Sequence, residues 1–112
     1  MDNCIFCKIV NGEIPATVVY EDDKMMAFKD LNPVAPVHVL MIPKTHISSA
    51  MDITADNADV IAHIFSKAKE VAEIMGISDS GFRIVNNCGE NAGQTVMHLH
   101  FHLIGGKTLL WP

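Results

Sequence analysis

"MHLHFHLIGG", residues 97–106, places His98, His100 and His102 at every second position, with Met97, Leu99, Phe101 and Leu103 alternating against them. Residues two apart diverge on a helix but line one face of a strand, so the run predicts a strand with an imidazole face and an apolar face. Gly105 and Gly106 punctuate its end. Three imidazoles on one face converge on a small volume and repel when protonated, which makes them a poor choice for plain solvent-facing polarity. Two functional readings follow: a metal site, or a site where imidazole does nucleophilic or acid–base work on an anion.

The segments around this run set the fold class. Residues 4–10 read as a short helix closed by "NGEIP", and "TVVY" (17–20) and "KMMAFK" (24–29) read as strands flanking an "EDD" turn. "VHVLMIP" (37–43) is apolar on both faces, which predicts a central strand ended by Pro43. From Thr54 to Met75 the period changes: Val60, Ile61, Ile64, Phe65, Ala68, Val71, Ala72 and Met75 recur at spacings of three and four, a long amphipathic helix with Thr54 as cap and Gly76 as stop. "FRIVNN" (82–87) alternates as a fourth strand before the histidine strand. Consecutive strands with short connections and one long helix predict an α+β fold, a five-stranded antiparallel sheet with the helix on one face. His63, on the flank of that helix, is expected to be a surface residue.

The chain of 112 residues is expected to form one domain, residues 1–112. Its composition, 49% hydrophobic and 19% charged, is that of a globular protein rather than a disordered one. A net charge of −5 argues against coating nucleic acid or lying on an anionic membrane, and an anionic small molecule would need local donors. No apolar run is long enough to cross a bilayer. Asp2 and Lys8 interrupt the short apolar N-terminus, which is unlike a secretory signal. Three cysteines, an odd number, suggest a reducing compartment, and a cytoplasmic location is expected.

Two further stretches carry chemistry. The loop "NNCGENAGQT" (86–95) is rich in Asn and Gly and can turn backbone and side-chain donors inward around a phosphate, a reading strengthened by the imidazoles beside it. Neutral imidazole, with one N–H held by a carbonyl, can attack phosphorus through its other nitrogen and then leave to water. Cys4-x-x-Cys7 has metal-ligand spacing, and thiolates suit zinc. A closed site needs two more ligands, for which histidine is the better complement because only Cys88 remains; Cys88 itself reads as structural or incidental.

"HLHFHLIGG" resembles the His-x-His-x-His motif of the histidine-triad superfamily. "CIFCKIVNGEIPATVVYEDDKMMAFKDLNPVAPVHVLMIPKTHIS" and "NNCGENAGQTVMHLHFHLIGG", together with the terminal "WP", are similar to the two halves of its Hint branch, the nucleoside phosphoramidases. The resemblance covers nearly the whole chain and implies a set of roles. His100 is the nucleophile, passing through a nucleotidyl-histidine; His102 contacts the phosphate; His38, which otherwise reads as a core histidine, supports the nucleophile. Asp30 accepts from ribose hydroxyls as well as starting a turn before "NP". Asn87, Gly93, Gln94 and Thr95 fall at phosphate-loop positions, with Thr95 where the branch commonly has Ser. Phe6, Ile9, Ile14, Phe28 and Leu31, otherwise plain core residues, form an apolar slot for a purine.

The cysteine pair is similar to that of bacterial-type members, which implies structural zinc on Cys4, Cys7, His46 and His98, with no cofactor required for the chemistry. The resemblance also implies a homodimer joined sheet edge to sheet edge and a C-terminal tail, "GGKTLLWP", near the leaving group; Trp111 in that tail reads alternatively as a dimer-interface anchor. The implied activity is hydrolysis of the phosphorus–nitrogen bond in a purine nucleoside phosphoramidate. Two other readings stay open at this level: a zinc-dependent hydrolase using metal-bound hydroxide, and a nucleotide-binding module without useful turnover.

Overall fold

In the computed structural model, which describes residues 3–112, a short helix α1 (Ile5–Val10) precedes the hairpin of β1 (Val18–Glu21) and β2 (Met25–Lys29) and the central strand β3 (Val37–Pro43). The long helix α2 (Ala58–Ile74) follows, then β4 (Phe82–Val85) and β5 (Phe101–Gly105). Asp2, whose charge bears on the leader argument, lies outside the described residues. The five strands form one antiparallel sheet in the order β1-β2-β3-β5-β4, the α+β architecture read from the sequence.

Local chemistry explains the joints. Asp22 folds the β1–β2 turn because its Oδ1 accepts from the amides of Lys24 and Met25, both at 2.9 Å. All seven residues of β3 are buried, as their two-sided apolar character demands, and β3 lies mid-sheet between β2 and β5. At the end of α2, Gly76 takes φ +75°, the Gly76 amide donates to Glu73 O and the Ile77 amide to Ala72 O. This Schellman closure needs a residue without Cβ strain at that position, and it drops Ile77 into the core beside Ala72. Gly105 is packed closely for another reason: a Cβ there would meet Ile77 Cδ1 at 2.9 Å and Gly81 O at 3.1 Å, so a larger residue would push the Ile77 side chain aside and crowd the main chain.

The two faces of the sheet have different coverings. Met25, Ala27, Val39, Met41, Phe101 and Leu103 face Ile64, Ala68, Val71 and Ala72 of α2 and make the main core. The opposite face presents Met26, Phe28, Leu40 and Ile42 to Phe6 of α1. His38 and His102 share this second face, being diagonal neighbours across the β3–β5 ladder where Leu40 opposes His102 and His38 opposes Ile104.

Three expectations need correction. The histidine strand begins at Phe101, so His98 and His100 lie in an irregular segment before it, and Met97 is half exposed rather than part of an apolar face. Helix α2 starts at Ala58: Thr54 caps a preceding turn through Asp56 N, while Asn57, at the true helix start, spends its side chain on Thr54 N and Asp52 O. His63 is not a free surface group, because its Nε2 lies 2.7 Å from Asp22 Oδ2 and clasps α2 to the hairpin turn.

Candidate active site and metal cluster

The cleft opens on the α1 face of the sheet and has a volume of about 300 Å³. Phe6, Ile9, Ile14, Phe28 and Leu31 line it, together with Asp30, Thr95, His100 and His102. It is small and mostly apolar with a few polar groups at one end, the usual form of a small-molecule site. Phe6 sets the inner wall: its ring meets Phe28 at 5.5 Å and His100 at 5.2 Å, both edge to face.

Hydrogen bonds fix the imidazoles one after another. The Val34 amide donates to His38 Nδ1 at 3.1 Å, so the proton of neutral His38 sits on Nε2, which donates to His102 Nδ1 at 2.8 Å. His102 is thereby left with its own proton on Nε2. His100 Nδ1–H donates to the main-chain oxygen of His98 at 2.7 Å, which leaves a lone pair on His100 Nε2. The cleft thus carries one imidazole nitrogen able to attack and a neighbouring one able to donate. Burial, reinforced by the adjacent imidazoles of His100 and His38 and only partly offset by Asp30, pushes His102 down to about 4, so it is neutral at pH 7.

Asp30 serves two purposes locally. Its Oδ1 accepts from the Asn32 amide at 2.7 Å, forming the turn before Pro33, and its Oδ2 lies 3.4 Å from His38 Nε2. Asp30, His38 and His102 stand close enough together to suggest a metal triad. The tautomers argue otherwise: a metal on His38 Nε2 would force a proton onto Nδ1, against the donating Val34 amide.

The second cluster fits a metal well. The ligand atoms of Cys4, Cys7, His46 and His98 all lie within 4.8 Å of one another. Cys4 Sγ is 3.3 Å from His98 Nδ1, and Cys7 Sγ is 3.3 Å from His46 Nδ1 and 3.5 Å from His98 Nδ1. Thiolate and imidazole ligands of a tetrahedral zinc stand about 3.5 Å apart, given bond lengths of about 2.3 and 2.0 Å. His98 Nε2–H donates to Pro43 O at 2.9 Å, which turns the Nδ1 lone pair toward the sulfurs. Burial, followed by the bond to Cys4 and its charge, pushes the Cys7 thiol up to about 11. A more open pocket of about 410 Å³ borders Cys4 and His46 and offers an entry path.

The loop before the triad behaves differently from its reading as a ring of inward donors. Asn87 Nδ2 donates to Ala92 O at 2.8 Å. Gln94 is buried and fully engaged, accepting from Gly89 N and donating to Ser48 O and Val96 O. Asn87, Gly93 and Gln94 do not line the cleft, whereas Thr95 does. The loop therefore braces itself and presents Thr95. Cys88 is half-buried and belongs to neither cluster. Trp111 is 93% exposed, beyond a tail held by Arg83, whose Nη1 donates to Leu110 O at 2.9 Å.

Comparison with known proteins completes the picture. The HIT domain model matches residues 11–109, which include the whole sheet, α2 and the triad. The chain belongs to the HIT family. Among solved HIT proteins, a HIT family hydrolase from Legionella pneumophila superposes with a TM-score of 0.95 at 48% identity, covering 98% of each chain. A 14 kDa zinc-binding protein of Brassica juncea is 46% identical, over 96% of this HIT chain and 96% of its own. The purine nucleoside phosphoramidase of Escherichia coli is 39% identical, over 96% of this chain and 91% of its own. The HIT match begins at residue 11, so the Cys4–Cys7 pair lies before it. Among the described residues, no helix is long and apolar enough to cross a membrane.

Proposed function

We propose that this HIT protein is a hydrolase that cleaves the phosphorus–nitrogen bond of purine nucleoside phosphoramidates through a nucleotidyl-histidine at His100. The observation that carries this reading is the bond from His100 Nδ1–H to His98 O, which leaves Nε2 as the free nucleophile beside a cleft of nucleoside size. The name of the Escherichia coli relative supports the substrate class.

In this account the base lies against Phe6, Ile9, Ile14, Phe28 and Leu31, and Asp30 accepts from the ribose. His100 Nε2 attacks phosphorus with its lone pair, the phosphorus–nitrogen bond breaks, and the amine leaves with a proton taken from solvent, which the attacking water of the second step returns. The His98 carbonyl stabilises the imidazolium that forms, and His102 Nε2–H steadies a phosphoryl oxygen. His38 holds His102 in the donating tautomer. Thr95 offers a hydroxyl at the end of the cleft away from the base, and Asn87, Gly93 and Gln94 shape the loop that presents it. Water then attacks the nucleotidyl-imidazole and releases the nucleotide.

Cys4, Cys7, His46 and His98 would hold zinc, which supplies a cross-link between α1 and the segment bearing the nucleophile. Four protein ligands leave no open position for a reactive water, which favours this reading over a metal-hydroxide hydrolase. One domain, a cytoplasmic setting and a homodimer joined at sheet edges belong to the same proposal.

The test is His100→Ala. It should keep nucleotide affinity within a few-fold and lose turnover by several orders of magnitude. Turnover within tenfold of the parent protein would overturn the assignment. So would a parent protein that binds nucleotide and turns over no phosphoramidate.

A further inference from the structure

We infer that Asn86 is a positioning residue for His100, a role that rests on the reading of His100 as the attacking group. Its side-chain Nδ2 donates to the main-chain oxygen of His100 at 2.9 Å. The sheet explains why such a bond is needed. The β4–β5 ladder ends with Val85 opposite His102, and β3 meets β5 only from Phe101 onward, so the segment before Phe101 has no strand partner on either side. Buried main-chain groups there must find other partners.

Each of the three residues 98–100 has its own anchor. The ring of His98 donates to Pro43 O at 2.9 Å, the Leu99 amide donates to Ile47 O at 2.6 Å, and the His100 oxygen accepts from Asn86. The first two anchors come from the last residue of β3 and from the chain that follows it. Among the described residues, Asn86 alone ties the segment to the β4 side by a hydrogen bond, replacing with its side chain the ladder that has just ended.

This matters because the bond that fixes the His100 tautomer spans only two residues, from the ring to the oxygen of His98. Its length and angle depend on the backbone torsions of Leu99 and His100. Without Asn86, the oxygen of a residue only 5% exposed loses its donor and the peptide turns to find another. The ring then leaves the His98 carbonyl part of the time, and the tautomer with its proton on the attacking nitrogen becomes populated. Small misplacements of this kind lower the chemical step far more than they weaken binding.

The experiment compares the zinc-loaded wild-type protein with Asn86→Ala and with Asn86→Asp, which keeps the size and loses the donor. Adenosine phosphoramidate turnover and long-range ¹H–¹⁵N spectra of the imidazoles are both recorded. The expected result is a kcat about tenfold lower in both variants with KM unchanged, and a His100 signal shifted from the Nδ1–H form toward the mixed pattern. Wild-type kcat and an unshifted His100 tautomer in either folded variant would overturn the inference. A rise in KM matching the fall in kcat would also overturn it, since that is the mark of general loosening. If the wild-type protein itself shows no turnover, the proposed function fails, and the tautomer spectra still decide the role of Asn86.

Discussion

His38 donates from Nε2 to His102 Nδ1 across 2.8 Å, and the Val34 amide on the far nitrogen of His38 sets the direction of that bond. The pair works only while both rings are neutral. His102 titrates near 6.5 in an unfolded chain and near 4 in the fold, where burial is the main cause. Between these values the unfolded chain holds more protons, so stability falls as the pH drops through that window.

Urea unfolding at a series of pH values should therefore show stability falling from pH 6.5 toward pH 4. In His102→Gln the slope should flatten by a sizeable fraction of one proton. An identical slope in the two proteins would contradict the neutral assignment.

A second prediction concerns the clasp between Asp22 and His63. Burial opposes ionisation of Asp22, yet the bond from His63, those from the Lys24 and Met25 amides, and that from Tyr20 together hold its carboxyl well below the usual carboxylate range. Such a group stabilises the fold above that range, and the contribution is lost as the pH falls through it. Asp22→Asn should cost about 1–2 kcal/mol at pH 7, and a double-mutant cycle with His63→Ala should show coupling of about 1 kcal/mol. Additive losses would mean that the two side chains meet without stabilising the fold.

The cluster of Cys4, Cys7, His46 and His98 predicts one zinc per chain, and Cys4→Ser should lose it. At free zinc a thousandfold above Kd the ion should add about 4 kcal/mol of stability. Chelation should lower the melting temperature while a protein that remains folded still turns over substrate. Turnover that vanishes with the metal in a folded protein would favour metal-hydroxide chemistry instead.

If the slot lined by Phe6, Ile9, Ile14, Phe28 and Leu31 takes a purine as proposed, it would hold it by stacking and area. Adenosine and guanosine phosphoramidates should therefore differ in KM by less than about tenfold. A difference of a hundredfold or more would point to base-edge recognition that these side chains do not provide.

Much of the fold was legible because local patterns agreed with their tertiary surroundings. The two-sided apolar run of β3 and the turn chemistry of Asp22 and Gly76 made their own elements plain. The start of β5 was not legible, since the alternation of residues 97–103 continues unbroken into a segment bent by bonds to Pro43 and Ile47, some fifty residues away in sequence. The loop 86–95 is hard to read for a related reason. Asn and Gln can donate to a ligand or to the chain's own carbonyls, and composition does not distinguish the two. Here Asn86, Asn87 and Gln94 all donate to main-chain oxygens. His63 and Asp22, 41 residues apart, carry no shared local pattern. The cysteine pair was legible from spacing, whereas its two histidine companions, the slot residues and the separate roles of the three triad histidines were indicated by family resemblance alone.

The most direct test of the central claim is the intact mass of the protein, quenched at neutral pH early in a reaction with excess adenosine phosphoramidate. Covalent catalysis by His100 adds one nucleotidyl group to the protein, a gain that is absent in His100→Ala. An unmodified mass throughout steady turnover, or a gain that survives in His100→Ala, would contradict it.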